Sequence, residues 1–581
     1  MPEQTAAART TPAIDNDAYL DPMKTATAAM RFLSQDARFK VTEATIRGNV
    51  YRVFENAPKS LVGLFEQGAA HSDRDFIIFG EEKTTFQGMW DDARRFANGL
   101  RERYGIGKGD RVGIAMRNYP EWCIAYFGVI SLGAIVVPLN AWWKTEELAY
   151  AIQDADVKTL VVDARRLDFL KPIRAAVGLT LILAREEAEG ADARFEDIVA
   201  SGDPKTPDVD IDPDDDFCIV YTSGSTGNPK GVVLTHRGAV SAIMSYVFLS
   251  EVVQEARDGR PTFGENPGIL LAVPLFHVTG SHAIFLLSWV VGRRIVMMYR
   301  WDANEACELI RKHELKNFVG VPAQSFEMID AAGPEGLPSI LDLGSGGAKR
   351  PPEHVRRLKE RFPNVNPSSG YGLSETNAIG TVCSLSDYQR KPDAAGRPLP
   401  PLMDVKIVDG DGRDAAVGEV GEVCLRSAAN FRGYHNLPEE TARAITPDGW
   451  FRTGDLGKLD EEGFLYIVDR LKDLIIRGGE NISCLEVEAR AYEHPAVAEA
   501  CAFAVPDDVM NERVGLVVYA KQGEAVDPKE LRDFMAEDLA GFKLPERIWL
   551  SPQQLPRLGT AKIDKITIKK VALQQPPNWK A

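Results

Sequence analysis

The sequence predicts a mixed α/β protein: a large N-terminal domain of stacked α/β sheets with a β-rich subdomain, followed by a small α+β C-terminal domain. Strand-like runs at Thr159–Val162, 217–221, 269–273 and 318–321 alternate with helix-like stretches such as 349–362, which is typical of layered, largely parallel sheets. After about residue 400 the chain changes to short strands and acidic turns, which indicates the β-rich subdomain. A glycine-rich turn after Arg470 begins a second helix and strand succession, and so marks the C-terminal domain.

This prediction divides the 581 residues into three parts. Residues 1–40 are expected to be a disordered tail, because the first twenty lack the basic start and apolar core of a secretory signal. Residues 41–470 form the N-terminal domain, with its β-rich subdomain at about 400–470, and residues 471–581 form the C-terminal domain. A hydrophobic content of 44% is enough to build real cores in domains of this size.

The stretch 122–143 has no charged residue and is long enough to satisfy a simple membrane-span rule. The proline and glycine residues in and beside this stretch favour a buried helix and strand instead. Pro120 suits the first turn of a helix, Gly133 suits its end, and 134–137 has the β-branched character of a short strand. Because a strand at Arg111–Ala115 comes before it, the unit is strand, helix, strand, and no transmembrane segment is expected. Peripheral membrane contact and a homodimer stay open.

Charge and cysteine content exclude several classes of protein. Lys plus Arg is 68 and Asp plus Glu is 84, so the formal charge of −16 opposes wholesale attraction to nucleic acid, and any phosphate site must be local. The seven cysteines include no C-x-x-C pair, so neither a disulfide framework nor a zinc cluster is indicated. A reducing, cytoplasmic compartment is therefore expected.

The sharpest local feature is the run YTSGSTGNPKG at 221–231, where a strand leads into hydroxyl side chains, glycines and one lysine. Glycines let backbone N–H groups converge on phosphate oxygens, the hydroxyls add donors, and Lys230 adds a compact positive charge. The spacing fails the Walker rule, because neither Gly224 nor Gly227 has a glycine five residues later. On these residues alone, phosphate binding and a flexible surface loop are both open.

The run resembles the signature of the adenylate-forming superfamily, which includes acyl-CoA synthetases, luciferases and the adenylation domains of peptide synthetases. Further similar motifs follow in the family's order. They are YGLSET at 371–376, GWFRTGD at 449–455, DRLKD at 469–473, GGENI at 478–482 and LPRLGTAKI at 555–563. The resemblance covers about residues 60–565, and a chance match to several ordered motifs is far rarer than a match to a single glycine pattern.

The resemblance implies binding of ATP, Mg²⁺ and CoA. Lys562 would bridge the attacking carboxylate and the α-phosphate, where a cation must offset the repulsion between two anions. Ala561 stands where the family commonly has glycine, which restricts the backbone but leaves the ammonium available. The phosphates would be held by the loop residues Thr222, Ser223, Gly224, Ser225, Thr226, Gly227 and Lys230.

The second motif would supply the metal and adenine contacts. By the resemblance, Glu375 would hold Mg²⁺ and the neighbouring Thr376 would bond the α-phosphate. Tyr371 would stack on adenine beside Gly372. A helix-capping role for Glu375 and a packed core ring for Tyr371 are the alternatives. The wall of the adenine pocket would be formed by three small residues, Gly346, Gly347 and Ala348.

Asp455 would bind the ribose, because an ionised carboxylate accepts hydrogen bonds from both sugar hydroxyls, and Arg470 would donate to the same sugar. An ion pair between the two at the surface is the alternative. His277 would gate the acyl pocket by the resemblance, although a lone histidine just past an apolar strand is usually a core or capping residue.

The acyl side of the site is left open by the sequence. An apolar acyl pocket could be lined by the stretch 283–291 and by the aromatic residues Phe276, Phe285 and Trp289. They fit an ordinary core helix equally well.

A thioester product requires CoA to reach the adenylate while Lys562 must first occupy the same neighbourhood, so one static pocket handles both steps poorly. The resemblance implies that the C-terminal domain is mobile and rotates about a hinge at Lys472. Gly478 and Gly479 would then shape the pantetheine tunnel. A simple tight turn at these glycines is the plainer interpretation and does not exclude motion.

The expected function is ATP-dependent activation of a carboxylic acid to an acyl adenylate, followed by transfer to CoA with release of AMP and pyrophosphate. A medium- or long-chain fatty acid is favoured, and aryl or steroid side-chain acids are alternatives. An amino-acid adenylating domain is disfavoured because His277, rather than an aspartate, follows Phe276. A non-catalytic nucleotide-binding regulator on the same fold is the alternative of a different class, against which the joint presence of Glu375, Asp455 and Lys562 argues.

Overall fold

The computed structural model describes residues 22–222, 229–559 and 562–581. Its first part contains, in order, α1 (Pro22–Gln35), β1 (Val41–Ile46), β2 (Asn49–Phe54), α2 (Leu61–Ala69), β3 (Asp75–Phe79), β4 (Glu82–Thr85), α3 (Phe86–Tyr104), β5 (Arg111–Ala115) and α4 (Pro120–Ser131). There follow β6 (Ile135–Pro138), α5 (Thr145–Asp154), β7 (Thr159–Val162), α6 (Ala164–Leu170), α7 (Arg174–Val177), β8 (Thr180–Leu183), β9 (Ala193–Arg194), α8 (Phe195–Ser201) and β10 (Asp216–Thr222).

The middle of the chain continues the same alternation. Its elements are β11 (Lys230–Thr235), α9 (His236–Ala256), β12 (Gly268–Leu271), α10 (Leu287–Val291), β13 (Arg294–Met297), α11 (Ala303–Lys312), β14 (Asn317–Gly320), α12 (Pro322–Ala331), β15 (Asp342–Gly346), α13 (Pro352–Arg361) and β16 (Asn366–Gly372). After them come β17 (Gly380–Cys383), α14 (Leu385–Arg390), β18 (Arg397–Pro398), β19 (Asp404–Val408), β20 (Gly421–Arg426), β21 (Gly433–Tyr434), α15 (Pro438–Ala444), β22 (Phe451–Leu459) and β23 (Leu465–Arg470).

The C-terminal part is shorter. It contains β24 (Ile475–Arg477), β25 (Glu480–Ile482), α16 (Cys484–Tyr492), β26 (Val497–Asp507), β27 (Asn511–Ala520), α17 (Pro528–Met535), β28 (Arg547–Ser551), α18 (Lys565–Leu573) and β29 (Trp579–Lys580). Short 3₁₀ turns occur at Ala37–Phe39, Ser374–Thr376 and Gly541–Lys543, and a π-helix occurs at Thr279–Leu286.

Within the described ranges the strands form two large sheets and two smaller ones, beside the β1–β2 hairpin. The large sheets have the orders β21-β11-β10-β6-β5-β7-β8-β9 and β18-β17-β16-β15-β14-β12-β13-β3-β4. Their central pairs are parallel, and antiparallel pairs occur toward their ends. The order β19-β20-β22-β23 is the antiparallel β-rich subdomain, and β24–β29 form the C-terminal sheet. The predicted α/β class with a small C-terminal domain is confirmed.

The uncharged stretch forms the predicted strand, helix, strand unit. Helix α4 begins at Pro120, and Gly133 adopts the left-handed conformation (φ +65°) that ends it. Trp122 and Phe127 are fully buried inside the protein, where the Phe127 ring stacks on Phe65 at 3.7 Å. Among the described helices, none combines the length and apolar character needed to cross a bilayer.

The expected disordered tail is wrong for residues 22–40. This segment forms α1 and the 3₁₀ turn, and it buries Phe32 and Phe39. The Phe39 ring is fully buried and lies edge-on to Phe54 and Phe248, 6.1 and 5.3 Å away. Burial of these rings offsets the conformational entropy lost on ordering the segment. Residues 1–21 lie outside the described part of the chain.

Two further elements differ from the sequence prediction. The strand expected at 269–273 is displaced to Gly268–Leu271, and the helix expected at 349–362 begins only at Pro352. The second difference has a steric cause, since a residue that precedes proline is disfavoured in the helical region. Pro351 and Pro352 therefore start the helix after Lys349 and Arg350, which lie in neither a helix nor a strand.

The topology brings the motifs together. Strands β15 and β16 are parallel neighbours, so the carboxyl end of β15 at Gly346 lies beside Gly370, near the carboxyl end of β16. Asp455 and Arg470 are cross-strand partners in β22 and β23. The chain leaves the β-rich subdomain at Arg470 and enters the C-terminal sheet at Ile475.

The cysteines behave as the sequence predicts. All seven lie in the described ranges as free, buried thiols, so the described chain contains no disulfide.

Replacing Phe39 by alanine is expected to lower the free energy of unfolding by about 3 kcal/mol, because it leaves a cavity among aromatic rings. The measurement is the urea midpoint followed by tryptophan fluorescence. Met30→Ala, on the exposed face of α1 where the side chain is 65% accessible, should leave the midpoint nearly unchanged. Equal midpoints for both variants would mean that this segment does not pack on the domain.

Candidate functional site

Asp455 is the centre of a buried hydrogen-bonded cluster. The Tyr371 hydroxyl donates to Asp455 Oδ2 at 2.8 Å, and Arg470 Nε lies 3.1 Å from Asp455 Oδ1. Burial raises the pKa of Asp455, and the charge of Arg470 opposes that rise. The ion pair considered from the sequence is formed, but only Arg470 is at the surface, since its side chain is 51% exposed and that of Asp455 is 6% exposed.

Glu375 begins a second chain of contacts, which reaches Lys230 in the run 221–231, hereafter the phosphate-type loop. Its Oε1 accepts a hydrogen bond from the Tyr434 hydroxyl at 2.9 Å. Lys230 Nζ lies 5.3 Å from the centre of the Tyr434 ring and 2.6 Å from Glu440 Oε2. The lysine at the start of β11 therefore faces an aromatic ring and a carboxylate of the protein itself.

The chemistry of Glu375 fits a magnesium ion that is shared with phosphates. The residue is 8% exposed, and burial raises the pKa of its carboxylate, a cost that a bound cation would offset. Mg²⁺ commonly binds through one or two carboxylates together with substrate phosphates and waters. In the part of the chain that the structure describes, no cluster of three or more His, Cys, Asp or Glu side chains could hold a metal alone. The fit therefore depends on oxygens supplied by a nucleotide.

Lys562 lies against the turn that follows β15. A Cβ atom added to Gly347 would lie 3.1 Å from Lys562 Cε, and the φ of +75° at Gly347 also favours glycine. Burial lowers the pKa of Lys562 to about 8; the charge of Arg470 acts in the same direction and that of Asp455 opposes it. The predicted catalytic lysine, the ribose candidates and the adenine wall are thus brought together.

The other two residues of the predicted adenine wall, Gly346 and Ala348, have free space or solvent beside them. Gly346 ends β15, and its nearest neighbour in the Cβ direction is Gly370 O at 3.8 Å, while Ala348 is exposed. Lys349, for which the sequence offers no role, donates to Ile467 O at 3.0 Å and pairs with Asp393 at 2.8 Å. This lysine ties the wall to the β-rich subdomain that carries Asp455.

Thr376 and Gly372 lie close together in the chain near Glu375, and their described contacts stabilise the protein's own turn rather than leave them free for a ligand. Thr376 is fully buried, and its hydroxyl accepts from Leu373 N at 3.1 Å and donates to Ile379 O. A Cβ atom at Gly372 would lie 2.6 Å from Ala378 O, so the turn requires glycine. Contact of Thr376 with the α-phosphate stays a prediction, since its hydroxyl is engaged by its own turn.

His277 lies close enough to Lys562 for their charges to interact. Burial, together with the positive charge of Lys562, lowers the pKa of His277 to about 3, so the imidazole is neutral near pH 7. Its Nε2 is buried and has no hydrogen-bond partner among the described residues. A role for this histidine as a gate stays a prediction.

The aromatic residues considered for the acyl pocket divide into two groups. Phe285 and Trp289 are fully buried, and both rings lie 5.0 Å from Phe127 in the core. Phe276 instead lies 5.4 Å from Trp142, beside the Lys562 loop. The core-helix interpretation therefore describes Phe285 and Trp289.

The hinge candidate lies close to the site, whereas the tunnel candidates lie in a turn of the C-terminal sheet. Lys472 is exposed between β23 and β24; burial and the charge of Arg470 lower its pKa, and the charge of Asp455 opposes them. Gly478 and Gly479 adopt positive φ values of +58° and +93° in the turn after β24, and Gly478 N donates to Met510 O at 2.8 Å. Their described contacts are those of a tight turn within the C-terminal sheet, and their roles in domain rotation and in CoA binding stay predictions.

The phosphate-type loop starts and ends at paired residues. Thr222 and Lys230 are register partners in β10 and β11, and Thr222 Oγ1 donates to Lys230 O at 3.4 Å. The loop residues between them that were named from the sequence lie outside the described residues: Ser223, Gly224, Ser225, Thr226 and Gly227. Ala561 also lies outside them.

Comparison with known proteins decides the family. Residues 64–435 match the family model of the AMP-binding enzyme, and residues 486–562 match that of the AMP-binding enzyme C-terminal domain. The chain belongs to the AMP-binding enzyme family. It is an adenylate-forming acyl-CoA ligase by class, which confirms the resemblance seen in the sequence motifs.

Similar proteins are CoA ligases for different acids. A long-chain-fatty-acid–CoA ligase of Bacillus subtilis is 32% identical over 86% of this chain and 92% of its own length. The 4-coumarate–CoA ligase 3 of Oryza sativa is 28% identical over 86% of this chain and 89% of its own. The structure of O-succinylbenzoate coenzyme A synthetase from Bacillus subtilis with ATP and magnesium ion has a TM-score of 0.74 and 27% identity, and it covers 87% of this chain and 99% of its own.

Sequence reasoning missed Tyr434 and Glu440 in this AMP-binding enzyme. Tyr434 is 59 positions from Glu375, and Lys230 is 210 positions from Glu440. The only local signal is the run FRGYHN at 431–436, in which a glycine between two aromatic residues indicates a close approach of two strands.

The Tyr371→Phe variant of the AMP-binding enzyme keeps the ring and removes the hydroxyl that donates to Asp455. We expect ATP affinity, measured by calorimetry, to fall about tenfold, since a hydrogen bond to a charged group is worth about 1.5 kcal/mol or more. Tyr466→Phe is a matched control, because the Tyr466 hydroxyl donates to Asp460 at 3.1 Å in a different ion-pair cluster. Equal affinities for the two variants would contradict a role of this hydroxyl in orienting Asp455.

Proposed function

We propose that this enzyme activates a medium- or long-chain fatty acid with ATP and Mg²⁺ and transfers the acyl group to CoA. The observation that carries the proposal is the position of Lys562, whose ammonium lies against Gly347 and within the field of Asp455 and Arg470. A lysine from the C-terminal domain thus meets the nucleotide candidates of the N-terminal domain. A nucleotide-binding regulator without catalysis would not need such a buried cation.

In the first step the chain's own groups orient two anions that repel one another. Asp455 and Arg470 bind the ribose, Tyr371 stacks on adenine, and Lys230 draws the outer phosphates. The protonated Lys562 lies between the acid carboxylate and the α-phosphate, and its charge stabilises the negative charge that is shared as the new bond forms. Glu375 would hold Mg²⁺, which supplies positive charge at the phosphates.

In the second step the thiol of CoA replaces AMP on the acyl carbonyl. Lys562 must then leave the carbonyl, because the thiol approaches the same atoms. The exposed turn at Lys472 separates the two domains and is the proposed hinge. Gly478 and Gly479 are the proposed lining for the pantetheine arm once the C-terminal domain has rotated.

The relatives favour a fatty acid over an aryl acid. The long-chain-fatty-acid ligases of Bacillus subtilis and Mycobacterium tuberculosis are 32 and 33% identical, whereas the 4-coumarate ligases of rice and potato are 28 and 29% identical. The aromatic residues Phe285 and Trp289 give no support to an aryl pocket, because both are packed in the core.

A panel of acids tests the substrate class through CoA-dependent release of AMP. Palmitate and octanoate are expected to give kcat/KM values at least about tenfold above those of coumarate and of a steroid side-chain acid, a difference of about 1.4 kcal/mol in transition-state binding. The reverse order would assign an aryl or steroid acid instead. If no acid supported AMP release, the proposed function would be wrong.

The pH dependence tests Lys562. Burial lowers its pKa to about 8, and only the charged ammonium can stabilise the transition state, so kcat/KM for adenylation should fall as the pH rises through about 8. The measurement is pyrophosphate release from the free enzyme at limiting acid, and the descending limb should be absent from the thioester step.

Variants of Lys562 identify the group that titrates. Lys562→Ala is expected to lose adenylation by at least about a hundredfold, while a supplied acyl adenylate is still converted to the thioester. Lys562→Arg should retain a fraction of the rate without the limb near pH 8, because a guanidinium stays charged there. Lys570→Ala, on the exposed face of α18, is the matched control and should behave like the wild type. A limb that survived in Lys562→Arg would assign it to another group.

A further inference from the structure

Two described residues of the loop that carries Lys562, Gly559 and Arg557, contact the N-terminal domain outside the nucleotide site. Gly559 lies against the indole ring of Trp142, and a Cβ atom added to it would lie 2.9 Å from Trp142 Cδ2 and Cε3. Arg557 Nη2 lies 3.3 Å from Glu327 Oε1 on α12. Both contacts join the segment just before Lys562 to elements that belong to the other domain.

Trp142 is 42% exposed and makes contacts on several sides. The Arg117 guanidinium lies 4.3 Å from the indole centre, and the Phe276 ring lies 5.4 Å away at a steep angle. The Trp142 backbone N–H donates to Asn140 Oδ1 at 2.9 Å, which fixes the turn. With Arg117 and Phe276 both against it, the indole presents one face to Gly559 with little freedom to move.

The space beside this contact is too small for a substrate. A cavity of about 40 Å³ is lined by Arg117, Trp142, Phe276 and Gly559, among others. This volume suits a water molecule or two rather than a ligand of several atoms. The face of Trp142 therefore serves packing between the domains rather than binding of a small molecule.

The charged contact joins the same two domains through Arg557. Its guanidinium also pairs with Glu499 of β26, which anchors Arg557 in the C-terminal domain. Glu327 accepts a hydrogen bond from Trp301 Nε1 at 2.6 Å through its other oxygen, which anchors the opposite end. Both partners of the pair are partly exposed, 21% for Arg557 and 29% for Glu327.

We propose that Trp142 and Glu327 are positioning residues that seat the Lys562 loop for adenylation and release it for the thioester step. The inference rests on the proposed two-step function. The described contacts of this loop are a flat indole against a glycine and a partly exposed ion pair, and contacts of this kind can break and re-form in each catalytic cycle. They are local to the loop, since the two domains also meet where the Tyr492 ring lies 5.2 Å from His354.

The glycine permits a compensation test. The backbone of Gly559 lies outside the left-handed region, so alanine is tolerated by the backbone itself, and its Cβ atom meets the Trp142 ring and the Asn140 side chain. Gly559→Ala should slow adenylation ten- to a hundredfold by displacing Lys562, while conversion of a supplied acyl adenylate with CoA changes less than about twofold. Trp142→Ala should show the same split between the two steps.

The double variant distinguishes positioning from general damage. In the Trp142→Ala background, Gly559→Ala should cost much less adenylation rate than in the wild type, because the ring is absent and only the Asn140 side chain remains in contact with the new Cβ atom. Trp142→Phe should recover part of the rate, since a smaller ring keeps a flat face. Additive losses in the double variant, or equal losses in both half-reactions, would overturn the proposal.

Glu327→Gln tests the charged contact. Glutamine keeps an acceptor for Trp301 and removes the negative charge that faces Arg557, so adenylation should slow about threefold or more and lose part of its dependence on salt. Glu335→Gln is the matched control, because Glu335 is 77% exposed and pairs with Arg311 of the same domain at 3.7 Å. Equal rates for the two variants would remove Glu327 from the proposal.

Hydrogen exchange separates this proposal from the proposed function. The Leu558 amide donates to Lys562 O at 2.8 Å, so its exchange reports the folded state of the lysine loop without any substrate. Peptides that contain Leu558 should exchange faster in Trp142→Ala than in the wild type, with no change in peptides from α17. Unchanged exchange would contradict docking on Trp142 even if ligase activity is found, and faster exchange would support it even if no acid is turned over.

Discussion

The ammonium group of Lys562 lies close to the guanidinium of Arg470, and this repulsion between two cations is the constraint on which the rest of the site depends. Burial and the charge of Arg470 both lower the pKa of Lys562 to about 8, and the charge of Asp455 opposes them. The lysine belongs to the C-terminal domain and lies against Gly347 of the N-terminal domain, where no side chain stands in its way. In the proposed mechanism, delivery of this cation by domain closure would leave the same volume free for a thiol afterwards.

The pattern of the sequence predicts those parts of the site that lie in contiguous runs. Asp455, Arg470 and Lys562 each belong to a motif whose residue types match the chemistry, and the structure brings these three together. Contacts between distant runs could not be predicted, because nothing local connects Tyr434 with Glu375 or Trp142 with Gly559. Such pairs are created by the order of strands and by the docking of domains, which periodicity does not encode.

The fold was predictable to a similar depth. Proline and glycine punctuation around α4 was sufficient to distinguish a buried unit from a membrane span, since Pro120 and Gly133 act locally. The N-terminal segment was not recognised as ordered, because the burial of Phe39 depends on Phe54 and on Phe248, far along the chain. The polar residues near the start of the chain favour disorder when the sequence is considered locally. In the structure, packing of Phe39 against its distant aromatic partners determines that the segment is ordered.

The pair between Lys230 and Glu440 has a consequence for the proposed phosphate contact. With both side chains about one-third exposed, such a pair contributes about 1 kcal/mol or less. In the proposed function, a phosphate oxygen that takes the place of the Glu440 carboxylate beside Lys230 would therefore lose only this small amount. A triphosphate, which carries more charge than a single carboxylate, would then be favoured at this lysine over the protein's own anion.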